Sequence, residues 1–145
     1  MKKFRFNLES LLQIREWEER KAQQAFAEAI ARVTEAQRAI ESAQGEKENA
    51  YLAWQTVGDR RFSPAERIAL QAQVAEVEGR IAQAEQRLAE LEEARRETME
   101  ALKVASRNKR VVENLKEKRL QEYRAESLKQ ESMEIEDIFN GRRSA

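Results

Sequence analysis

Val57-Gly58-Asp59-Arg60-Arg61-Phe62-Ser63-Pro64-Ala65-Glu66 sets the architecture of this chain. It holds the only proline of the sequence and one of its four glycines. Gly58 stands where a helix can end in a left-handed residue, which glycine adopts without a Cβ clash. Five residues later Ser63 occupies an N-cap position, Pro64 the first helical position and Glu66 the third, the S-x-x-E pattern of a capping box. One helix therefore ends and another begins within this segment. Toward the N-terminus, Asn7 is placed to cap a helix opening at Leu8, and Phe6 before it is placed to staple against Leu11. At the other end Asn140-Gly141 reads as a stop, followed by a polar tail expected to fray. The expected organisation is one all-α domain spanning 1–145, with a helix over about 8–57, a bend at 58–63, a helix over about 64–139 and a frayed tail at 140–145.

Both helices carry a seam of period seven. In the first, one line runs Leu12, Glu19, Phe26, Val33, Ile40, Lys47 and Trp54, and the other runs Leu8, Arg15, Ala22, Ala29, Ala36, Ala43, Ala50 and Val57. In the second, Val74, Ile81, Leu88, Arg95 and Leu102 form one line, and Leu70, Val77, Ala84, Leu91, Thr98, Ala105 and Val112 the other. The remaining faces are Glu, Gln, Lys and Arg, so each helix buries one narrow stripe and neither forms a globular core. A sustained heptad implies left-handed supercoiling.

A loop this short favours an antiparallel hairpin within the chain, so the expected fold is a long two-helix antiparallel coiled-coil hairpin. Folding about residues 61–62 sets Trp54 near Leu70, Ile40 near Ala84, Val33 near Leu91 and Leu12 near Val112. At about 1.5 Å per residue the arms measure roughly 75 Å and 110 Å. Residues from about 120 to 139 then overhang the first arm, with only the Phe4 to Phe6 segment beside them.

Composition narrows the function. The 145 residues carry 27 Lys plus Arg against 27 Asp plus Glu, with no His, no Cys and a mean hydropathy of -0.85. No thiolate, imidazole, disulfide or soft zinc ligand is available, so metal chemistry and most nucleophilic catalysis are disfavoured. Paired carboxylates on solvated helices have no pocket to shift their pKa, and no Gly-rich phosphate loop is present. No catalytic residue, cofactor or metal is expected, and no small-molecule substrate. No apolar run suffices for a membrane span or a secretory signal, which places the protein in the cytoplasm.

Several features have both a structural and a functional reading. Gly45 and Gly79 fall at one level of the hairpin on outward positions, either as a compliant hinge or as tolerated substitutions. Trp54 fills the seam near the bend, whereas Tyr51 lies beside the seam, where an exposed ring is either a plain surface side chain or a partner contact. Lys103, Arg107, Lys109, Arg110, Lys116, Lys118 and Arg119 form a basic belt, and Glu122, Glu126, Glu131, Glu134, Glu136 and Asp137 an acidic segment after it. A basic helix with Asn108 suggests a leucine-zipper basic region, but that needs a flanking parallel dimer and lacks the acidic run, so nucleic acid is set aside. A solvated face or a protein contact remains. Arg15, Glu18 and Glu19 interrupt the seam opposite Asn108 and Lys109, as candidate cross-helix ion pairs that weaken this end.

The opening Phe4-Arg5-Phe6-Asn7-Leu8-Glu9-Ser10-Leu11-Leu12-Gln13-Ile14-Arg15 resembles the start of the flagellar export protein FliJ family, and Asn108-Lys109-Arg110-Val111-Val112-Glu113-Asn114-Leu115-Lys116-Glu117-Lys118-Arg119 with Glu122-Tyr123 resembles its C-terminal arm. The resemblance implies a non-enzymatic central stalk of the flagellar type III export apparatus, similar in shape to the stalk of rotary ATPases. Its implied partners are the hexameric export ATPase, a membrane export-gate protein and export chaperones, and its place the inner face of the cell membrane. It also implies an ATPase-binding set of Phe6, Leu8, Leu11, Leu12, Val112, Leu115 and Tyr123 supported by Lys109, Arg110 and Arg119, with Tyr51 for the gate. Alternatives are the equivalent stalk of a virulence type III secretion system and a generic coiled-coil adaptor or tether.

Overall fold

The computed structural model describes residues 3–57 and 63–143, and these form two helices, α1 (Glu9–Val57, 49 residues) and α2 (Pro64–Arg143, 80 residues), with no strand among them. The two pack against each other as the expected all-α helical hairpin. Gly58, Phe62 and the bend up to Ser63 lie outside the described residues. At the start of α2 the cap is present: the Glu66 amide donates to Ser63 Oγ at 3.2 Å, and the Arg67 amide to the Ser63 carbonyl at 3.2 Å. The first satisfies one of the amides that a helix N-terminus leaves without an intrahelical partner, and the second is the first backbone bond of the helix itself.

Both outer boundaries depart from expectation. Asn7 does not cap α1. Its Oδ1 accepts a hydrogen bond from Arg119 Nη1, and the Phe6 carbonyl takes the Glu9 amide at 3.1 Å, so the first helical residue is Glu9 rather than Leu8. A charged donor outcompetes the weaker local cap. At the other end α2 continues through Asn140-Gly141 to Arg143, and no described glycine has a positive φ. Gly141 is thus an ordinary helical residue. Nothing comes within 4 Å of where its Cβ would stand, so no packing forces the chain to turn there.

The described residues fall into two compact units, Gln23–Ala101 and the pair Met1–Ala22 with Leu102–Ala145. In the middle unit the buried side chains are Ala29, Val33, Ile40, Ala43, Ala50, Val74 and Val77, every one a seam position. Alanine and β-branched residues leave little room between the backbones, and each buried Val or Ile contributes about 1.5 to 3 kcal/mol. Glu46 pairs with Arg80 and Lys47 with Glu78, which shows the helices running antiparallel and sets Gly45 and Gly79 at one level. A Cβ placed on either glycine would meet no atom within 4 Å, so neither serves a close backbone approach inside the chain.

The terminal unit is built differently. Phe6, Leu12 and Val112 form its buried cluster, with Phe4, Leu8, Leu11 and Leu115 packed against it. This puts Leu12 beside Val112, and Phe6 in one cluster with Leu11, both as expected. Phe4 lies against Tyr123 with ring centroids 5.5 Å apart, tilted by 51°, an aromatic pair within the favourable range. Past Tyr123 every residue from 128 to 142 is exposed.

Candidate functional site

The residues that carry the resemblance converge in the terminal unit. The seam there is charged: Lys109 Nζ meets Glu19 Oε1 at 2.8 Å and Glu113 Oε1 at 3.4 Å, while Lys116 meets Glu9 at 2.9 Å. Arg15 does not cross the seam as expected. It pairs at 3.0 Å with Glu18 one turn on, since three residues along a helix is the shorter reach, and of these three residues Glu19 is the one that bridges to α2. The Lys109 ammonium holds the Glu19 carboxyl below the usual carboxylate range, with a second hydrogen bond from Ser106. Reciprocally, the Glu19 carboxylate raises Lys109. The Glu19 side chain is 14% exposed and that of Lys109 27%, so this pair is more shielded from solvent than Lys116 with Glu9, Lys47 with Glu78 or Arg80 with Glu46.

Exposure sorts the expected ATPase-binding residues into two groups. Phe6, Leu12 and Val112 are only 8%, 4% and 6% exposed. Their side chains are occupied by the internal cluster, so they hold the surface in shape and do not themselves present it. Leu8, Leu11, Leu115, Lys109 and Tyr123 are half-buried, and Arg110 and Arg119 are exposed, Arg119 anchored on Asn7. The unit thus offers guanidinium and ammonium groups over an apolar support.

In the middle unit Tyr51 is 46% exposed, as its position beside the seam demands, while Trp54 is half-buried. Tyr51 and its neighbour Leu52, 52% exposed, line an open depression of about 380 Å³ with Gln44, Lys47, Glu48 and Gln55. Leu52 escaped sequence reading because seam periodicity ranks residues by how well they face the partner helix. The signal that marks it is the opposite one: a large apolar side chain off the seam of a highly charged helix. The same signal marks Ile14, Trp17, Val104 and Val111 in the terminal unit, all at least half exposed. Trp17 is covered on one face by Lys21, whose Nζ stands 4.8 Å from the ring centroid.

No group of His, Cys, Asp or Glu among the described residues is arranged to hold a metal ion, and no described helix is long and apolar enough to cross a membrane. No curated protein and no solved structure matches the chain. The family model described as flagellar FliJ protein matches residues 4–140. With nearly the whole chain covered, from Phe4 at the aromatic contact to Asn140 near the end of α2, the chain belongs to the flagellar FliJ family and, with it, to flagellar protein export.

Proposed function

We propose that this protein is the non-enzymatic central stalk of the flagellar type III export apparatus, working at the cytoplasmic, inner face of the cell membrane. The family match over residues 4–140 carries the reading. The terminal unit engages the hexameric export ATPase, with Arg110, Arg119, Lys109, Leu115 and Tyr123 as the contacting surface and Phe6, Leu8, Leu11, Leu12 and Val112 as its support. A charged surface over a rigid apolar base suits a site that must dock in register and release again, because rim charges govern encounter more than residence. The hollow around Tyr51 and Leu52 is the contact for the membrane export gate, an exposed tyrosine ring being an anchor that desolvated interfaces use and the leucine beside it adding apolar area. Export chaperones are further partners of the same protein.

The test is the ATP hydrolysis rate and ring assembly of the cognate export ATPase with and without this protein. Wild type raises both. Arg110→Glu, at an exposed position, weakens both at unchanged helicity, while Tyr51→Ala keeps the stimulation and loses capture by the gate protein. Failure of wild type to change either quantity overturns the stalk reading.

A further inference from the structure

Two surfaces of the terminal unit are left uncovered by the fold, and they complement each other. The first is an apolar strip with a basic rim. Val104 and Val111 are 50% and 69% exposed and lie seven residues apart on α2, with Arg107 and Lys118 exposed beside them. Ile14 joins them from α1. It precedes seam residue Arg15 as Val104 and Val111 precede Ala105 and Val112, and in an antiparallel pair the residues just before the seam on both helices fall on the same side. The second surface is the end of α2, where Leu128, Ile135, Ile138 and Phe139 are 59% to 68% exposed. Glu131, Glu134 and Glu136 stand among them. Among the described residues, Arg107 and Lys118 on one surface and these three glutamates on the other take part in no ion pair.

We propose that these two surfaces bind each other between two copies of this chain, the acidic apolar end of one α2 lying on the basic apolar strip of the other, reciprocally. The acidic end cannot fold back onto Val104, Arg107, Val111 and Lys118 of its own chain, because all of them lie on the one continuous helix α2. Charge complementarity selects the partner: a basic-rimmed apolar strip fits an acidic amphipathic helix, and the chain itself carries one. The spacing allows closure. Val111 and Ile135 lie equally far from Tyr123 along α2, as do Lys118 and Leu128. A two-fold axis near Tyr123 between two antiparallel copies therefore brings each acidic end level with the other copy's basic strip, a reciprocal arrangement that closes as a dimer instead of an open chain. The contact buries apolar side chains that otherwise face water and pairs charges that otherwise stand alone. This inference does not rest on the stalk reading.

The experiment is sedimentation of the full-length protein over a range of concentrations, with helicity followed by circular dichroism. Wild type passes from monomer to dimer as concentration rises. The double variant Arg107→Glu/Lys118→Glu and the double variant Glu131→Lys/Glu134→Lys each keep their helicity and, alone, dimerise at least about tenfold more weakly, because each sets like charges against one another in both contacts. Mixed in equal amounts, the two variants recover dimer, since acidic strip then meets basic end and basic strip meets acidic end. A wild type that stays monomeric throughout overturns the proposal, leaving these surfaces to another protein. So does a mixture no more associated than its components.

Discussion

The two compact units of this molecule bury their apolar residues by different means. Gln23–Ala101 uses mostly alanine and β-branched side chains on the seam and pairs its charges in more exposed positions, Glu46 with Arg80 beside the seam and the seam residue Lys47 with Glu78. The terminal unit gathers aromatic and leucine side chains into one cluster around Phe6, Leu12 and Val112, and puts a charged pair, Glu19 with Lys109, on the seam itself. The difference separates stiffness from recognition. A seam of small knobs lets backbones approach closely and specifies one register. A seam that carries charge is less strongly held, and it sits in the unit whose outer surfaces carry exposed apolar and basic groups. Stability is expected to be uneven in the same sense.

The largest effect that tests this contrast comes from the cores. Leu12, 4% exposed, and Val33, 3% exposed, are the buried centres of the two units. Leu12→Ala is expected to cost about 2 to 3 kcal/mol, the low end for a leucine because a two-helix seam can partly close over the gap. Val33→Asp is expected to cost about 3 kcal/mol or more, since it buries an unpaired charge. Hydrogen exchange gives the sharper reading. Leu12→Ala lowers protection within Met1–Ala22 and Leu102–Ala145 while sparing Gln23–Ala101, and Val33→Asp does the reverse. Equal loss of protection everywhere in both variants removes the contrast, because the chain then opens as one unit.

An intermediate effect, of opposite sign, is expected at the glycines. Gly45 and Gly79 are helical, without positive φ, and open space surrounds the Cβ position of each. Alanine therefore removes backbone freedom from the unfolded chain at no steric cost. Gly45→Ala and Gly79→Ala are each expected to stabilise by about 1 kcal/mol, read as a higher denaturant midpoint at unchanged slope. A stabilised double variant that still stimulates the ATPase returns both glycines to tolerated substitutions, whereas loss of stimulation at higher stability makes them a hinge.

How far the sequence could be read follows from the range of each signal. The cap at Ser63-Pro64-Ala65-Glu66 and the heptad seam are local patterns, and the structure reproduces both. The pairing of Leu12 with Val112 follows from one bend and one direction of return. Asn7 escapes the capping rule because its oxygen is taken by Arg119, 112 residues away, and no local rule registers such a competitor. Gly141 departs because a glycine only permits a left-handed turn and does not require one, and here it keeps a negative, helical φ with open space at its Cβ position. Arg15, expected to reach across the seam, finds Glu18 nearer. The candidate surfaces are half legible. Residues matched by resemblance gather in one unit, yet periodicity favours residues that face the partner helix. It therefore draws attention to Phe6, Leu12 and Val112, which are buried, and passes over Ile14, Trp17, Leu52, Val104 and Val111, which are not.

The smallest effect expected is also the most specific to the terminal unit. Glu19 is held below its ordinary value of 4.5, first by the Lys109 hydrogen bond and then by that from Ser106. Its contribution to stability is therefore complete above that ordinary value and disappears as pH falls through the lower folded value. Lys109 is raised above 10.5, chiefly by Glu19, so its share is complete below 10.5 and disappears as pH rises through the higher folded value. Many other carboxylates titrate over the acid range, so the informative quantity is the melting temperature of wild type minus that of Glu19→Gln. It is expected to be positive and flat between the two limits and to shrink toward zero on either side. Glu46→Gln, which breaks an exposed pair in the middle unit, serves as the control, because solvent and salt screen that pair more strongly. A difference of equal size for the two variants, or one that persists undiminished below the carboxylate range, means that the charged seam holds the terminal unit no differently from the more exposed pairs of the middle one.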